Sequence, residues 1–80
     1  MAMENVMEIA RAIQVMRTVR GLTQAELAAA AGVNRVVIWQ IESGQMLPGP
    51  EVEVAIKRAL RWPEKAEVAF AILEGEEAAA

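Results

Sequence analysis

Residues 23–43 read TQAELAAAAGVNRVVIWQIES, and the signals that start and stop a helix fall so close together here that two short helices are dictated. Thr23 is a strong N-cap. Glu26, three residues on, completes a capping box in which hydroxyl and carboxylate each accept an otherwise unpaired backbone N–H. Leu27 and the small residues 28–31 continue the helix, and Gly32 stops it in the left-handed conformation that glycine adopts without a Cβ penalty. Asn34 is then placed to cap a second helix over 34–43, where Val37 or Ile38 and then Ile41 recur at helical spacing. Ala28 and Gly32 suit a close crossing, since a larger side chain at either place would push the two helices apart.

The flanking sequence reads as helices that hold this pair. Over residues 5–19 the apolar positions Val6, Ile9, Ile13 and Met16 share one face, and Arg20-Gly21 ends that helix. Val15 and Val19 fall off the stripe, as scattered surface valines or as a contact with a second subunit. After Gly44 comes the loop 45–50, and Pro50 suits the first turn of a fourth helix whose stripe is Val52, Ala55, Ile56, Ala59 and Leu60. Trp62 reads as a plug on the bundle. Pro63 opens a fifth helix over 64–73, in which one apolar pair, Val68 and Ile72 or Phe70 and Leu73, faces the core and the other is left for a partner. Residues 1–4 are expected to fray, the ordered core to span 5–74, and 75–80 to form an acidic, alanine-rich tail of one domain.

The pair of helices closely resembles the helix-turn-helix of the phage repressor/Cro-type (XRE-like) DNA-binding family. The matching residues are Leu22-Thr23-Gln24, Glu26-Leu27-Ala28, Gly32-Val33, Ile38, Ile41-Glu42 and Gly44, with Arg17 upstream and Ala59-Leu60 downstream. The resemblance implies an all-α fold, a compact five-helix repressor-like domain. It also implies that Arg17 pairs with Glu42, tying the first helix to the end of the third, so that Arg17 is not a free charge for DNA. Glu53 and Lys57 stand where the family more often has an aliphatic and a small residue, which leaves the rotation of the fourth helix open.

What the resemblance implies for function is sequence-specific binding of double-stranded DNA, with helix 34–43 in the major groove. Its outward residues would be Asn34, Arg35, Val36, Trp39 and Gln40. Arginine gives two hydrogen bonds to a guanine edge, glutamine two to adenine, and valine an apolar contact to a thymine methyl. Gln24 matches the family's phosphate-binding position, and Thr23 and Ser43 offer hydroxyl or backbone contacts that position without reading sequence. Plain capping and solvation is the other reading of Gln24 and Ser43.

Composition bounds the alternatives. The 80 residues hold no cysteine, histidine, aspartate or tyrosine and a single serine, which removes most acid–base and nucleophilic chemistry and the usual metal ligands. An enzyme, a metal site and a cofactor are therefore not expected. No apolar run reaches membrane-spanning length and the N-terminus carries Glu4 and Glu8 rather than a basic leader, so a cytoplasmic chain is expected. The net charge is −3, but residues 11–61 carry seven basic against four acidic side chains, between acidic ends. That middle is mildly basic, yet the loop after Gly44 has no basic residue before Lys57. Weak phosphate neutralisation by one subunit calls for a homodimer, expected through Phe70 and Leu73 of the fifth helix. A transcription regulator (repressor, Cro-like, antitoxin or controller) is the leading expectation. The competing one is a protein-interaction module that keeps the fold and uses Val36, Trp39 and the Met46-Leu47 loop.

Overall fold

The computed structural model describes residues 6–63, 71–73 and 75. Four helices are bounded within them: α1 (Val6–Val19), α2 (Gln24–Ala31), α3 (Arg35–Glu42) and α4 (Pro50–Leu60). A fifth helix enters as residues 71–73, and no strand occurs among the described residues. The start expected to fray, most of the fifth helix with Val68 and Phe70, and residues 76–80 lie outside the described residues.

Local chemistry sets the helix ends. The Thr23 hydroxyl accepts the Glu26 N–H at 3.0 Å while the Glu26 carboxylate accepts the Thr23 N–H at 2.9 Å. The Asn34 Oδ1 accepts the Val36 N–H at 2.8 Å and starts α3. All four C-termini close with one pattern, in which two successive N–H groups turn back onto the last turn's carbonyls. Leu22 donates to the Arg17 carbonyl, Val33 to Ala28, Gln45 to Gln40, and Trp62 to Lys57, at 2.9–3.0 Å. That closure needs a left-handed residue, supplied by Gly21, Gly32 and Gly44 at φ 73–80° and, after α4, by Arg61 at φ 52°. A Cβ at Gly44 would also meet the Met7 thioether, but that is the far end of an exposed, flexible side chain that can move aside, so the positive φ is what calls for glycine there.

Each helix gives two residues to one cluster: Ile13 and Met16, Leu27 and Ala28, Ile38 and Ile41, Ile56 and Leu60. The larger seven are mostly inaccessible to solvent, each worth about 1.5–3 kcal/mol of transfer free energy. α2 packs on both α3 and α4, and α1 packs on α3. Leu22, Val33, Val37, Met46, Val52 and Trp62 pack half-buried around this centre. Leu73, expected at a subunit contact, also packs there beside Ile72, so part of its surface is already covered.

The rotation of α4 is settled by burial. Ile56 and Leu60 point inward, and Glu53 and Lys57 point outward as an ion pair one turn apart, at 3.0 Å. The Lys57 ammonium also stands 5.8 Å from the Trp62 ring centre, a cation–π contact over the face of the plug.

Val15 is a correction. Read as a surface valine or subunit contact, it is 7% exposed within the single chain, whereas Val19 is exposed. A single apolar stripe presumes a helix covered on one side. Ala10 and Val15 are buried on either flank of the α1 stripe, so this helix is covered more widely.

Candidate nucleic-acid interface

The interface is organised around one buried carboxylate. Glu42 closes α3, and its side chain is 4% exposed. Arg17, from the last turn of α1, grips it with both arms of its fork, Nε to Oε2 at 2.7 Å and Nη2 to Oε1 at 3.0 Å. The remaining arm, Nη1, donates to the Leu22 carbonyl at 2.8 Å. A planar guanidinium suits this two-point grip, which a lysine could not reproduce. The pair thus fixes the end of α3 to α1 and to the turn entering α2.

Gln24 joins the same group. Its Nε2 donates to Glu42 Oε1 at 3.0 Å, so the first residue of α2 is held to the last residue of α3. The sequence reading placed Gln24 toward phosphate or solvent and missed this partner. An amide nitrogen has two N–H groups. One is given to Glu42, and the second makes no hydrogen bond among the described residues, which leaves a donor suited to an anion at the α2 N-terminus. There the Gln24 and Ala25 backbone N–H groups precede the capped Glu26 amide and lack a partner within the helix. The positive end of the helix dipole adds to that anion preference, and the Glu26 carboxylate in the same turn offsets part of it.

The outward face of α3 carries the remaining chemistry. Asn34 is exposed, but its Oδ1 is occupied by capping, so only its amide N–H₂ is available outward. Arg35 is exposed and engages no partner among the described residues. Val36 and Trp39 are 55% and 47% exposed, and with Arg35 they line one shallow concavity. Gln40 is half-buried. Thr23 is exposed with its oxygen in the capping box, and the Ser43 hydroxyl donates to the Gln40 carbonyl at 3.2 Å. The fold therefore brings Arg35, Val36 and Trp39 into one patch, and gives Thr23, Asn34 and Ser43 local backbone duties first.

Two other arginines are engaged. Arg17 is spent on Glu42. Arg20 donates from Nε to the Leu60 carbonyl at 2.7 Å and from Nη2 to the Arg61 carbonyl at 2.9 Å, capping α4 from 40 residues away. A single sequence carries no signal for that contact.

The apolar features of the competing reading are separate. Met46 packs against the core, and Leu47 is exposed at a cleft of about 340 Å³ bounded by α1, α4 and Trp62. Among the described residues, that cleft shares no lining residue with the Arg35–Val36–Trp39 concavity. No group of three or more acidic side chains converges to hold a metal among the described residues, and none of their helices is long and apolar enough to cross a membrane.

No curated protein matches the chain. A family model described as a helix-turn-helix domain matches residues 8–70, which takes in all four bounded helices except the first two residues of α1. With the two capped helices, the glycine turn between them and the resemblance to repressor/Cro-type proteins, that match means that the chain belongs to the helix-turn-helix domain family.

Proposed function

We propose that this protein is a sequence-specific double-stranded-DNA-binding transcription regulator of the repressor/Cro type, acting in the cytoplasm as a homodimer. The observation that carries the reading is Arg35. It stands exposed and unengaged at the start of α3, while Arg17 and Arg20 are committed to internal acceptors. An unpartnered guanidinium beside a capped helix N-terminus is the arrangement that reads a guanine edge in the major groove. Asn34, Val36, Trp39 and Gln40 are the further base contacts in this reading. Gln24 reaches phosphate with its second N–H, the Thr23 hydroxyl keeps its own proton to donate to the same group, and Ser43 joins them by turning its hydroxyl away from the Gln40 carbonyl. Direction of regulation follows from where the site lies on the DNA, not from the domain.

A dimer follows from charge. With an overall charge of −3 and a loop 45–50 without a basic residue, one subunit neutralises few phosphates. Two copies on half-sites about one helical turn apart double the contacts. Phe70 and the part of Leu73 left uncovered by its own core supply the contact in this reading.

The test is a duplex-binding titration at two salt concentrations, after selection of preferred sites from a random pool. DNA binding as a dimer gives a steep fall in affinity with salt and a selected site with two related halves. A flat salt response, with no sequence enriched, removes the proposal. The interaction-module reading would draw on two features, the Arg35–Val36–Trp39 concavity and the Leu47 cleft, which share no lining residue among the described residues.

A further inference from the structure

Arg35, Val36 and Trp39 are not three independent contacts. On a helix, residues three and four apart are surface neighbours. Trp39 is therefore beside both Arg35 and Val36, and the three side chains share the walls of one concavity. Two of its walls are apolar and about half exposed, and the third is a guanidinium with no partner among the described residues. A cavity of that make-up takes a small apolar group lying next to a pair of hydrogen-bond acceptors.

The major groove presents that combination in one place. The C5 position of a pyrimidine projects into the groove one base layer, about 3.4 Å, from the N7 and O6 acceptors of a guanine that follows it on the same strand. When C5 carries a methyl, an arginine reaching the guanine lies across that methyl. An unmethylated cytosine leaves the apolar walls facing water. Resting on the DNA-binding reading above, we propose that Arg35, Val36 and Trp39 read a 5-methylpyrimidine–guanine step as a unit. Arg35 takes the guanine acceptors, and Val36 and Trp39 enclose the methyl. Thymine and 5-methylcytosine carry the same methyl at the same position, so cytosine methylation in a CG step creates a binding site for this protein.

The experiment takes the site selected from a random duplex pool and changes one atom group at a time. At its pyrimidine–guanine step, duplexes carrying thymine, deoxyuridine, 5-methylcytosine and cytosine are titrated against the full chain. Burying one methyl is worth about fourfold in affinity, so thymine should exceed deoxyuridine, and 5-methylcytosine should exceed cytosine, by about that factor per half-site. Val36→Ala and Trp39→Ala should each shrink both ratios toward one, with each variant first shown folded at the titration temperature by its thermal melt, since about half of each side chain is covered within the domain. A methyl effect for thymine alone, or for 5-methylcytosine alone, overturns a pocket that reads the methyl itself, because the two bases present the same group at the same position. The inference is overturned if the selected site holds no pyrimidine–guanine step, if neither methyl changes affinity, or if both variants keep the wild-type ratios. Sequence-selective binding without methyl sensitivity sinks this inference alone, whereas absence of duplex binding sinks the DNA reading with it.

Discussion

Glu42→Ala tests the frame that holds α3. The substitution removes the acceptor of three hydrogen bonds at once, two from Arg17 and one from Gln24. It leaves a guanidinium that is 16% exposed with one remaining partner, the Leu22 carbonyl. Stranding one charge of a buried pair costs about 3–5 kcal/mol, and the access Arg17 keeps to water argues for the lower end, about 3 kcal/mol. A chain of this size has about 4–12 kcal/mol to lose, and the same change lowers Tm by about 12–24 °C. Urea denaturation followed by the fluorescence of Trp39 and Trp62 measures it. Arg17→Met should be similarly damaging because it strands the carboxylate. The double variant Arg17→Met/Glu42→Leu should recover much of the loss, with a coupling of about 1 kcal/mol or more. A cost below about 1 kcal/mol for Glu42→Ala, additive with that of Arg17→Met, would place this pair among ordinary surface bridges and refute the reasoning.

Arg35→Ala should weaken the preferred duplex by about 1–3 kcal/mol and relax preference at one base pair, as titration against single-base site variants will show. Gln24→Ala should weaken all duplexes alike, and its stability must be measured too because it also removes a bond to Glu42. Arg20→Ala removes two charge-assisted bonds to the end of α4 and should cost about 1.5–3 kcal/mol in urea denaturation, with the faster amide exchange confined to the last turn of α4. Arg61→Gly relieves a left-handed arginine and should raise stability by about 0.5–1 kcal/mol, whereas Arg61→Val should lower it, both read as shifts in Tm.

What the sequence by itself determined is what neighbouring residues settle between themselves. The capping box of Thr23 and Glu26, the Asn34 cap and the stops at Gly21, Gly32 and Gly44 each close through atoms at most five residues apart, so the chain carries their chemistry in plain order. Burial of Ile41, Ile56 and Leu60 was legible for a related reason, because periodicity marks the face a helix will bury, whereas the choice of Ile38 over Val37 waited for the packing. The Arg17–Glu42 contact spans 25 positions, and only the resemblance to repressor/Cro-type proteins pointed to it. Tertiary structure alone decided the rest. Gln24 met Glu42, Arg20 reached α4, and Val15 was covered, because a side chain's partner across 18 or 40 residues depends on how whole helices cross. The end of α4 shows the same limit from the other side. Packing of Leu60 and Trp62 fixes a turn that local propensity would give to glycine, and Arg61 adopts it, held by the fork of Arg20 from the turn after α1.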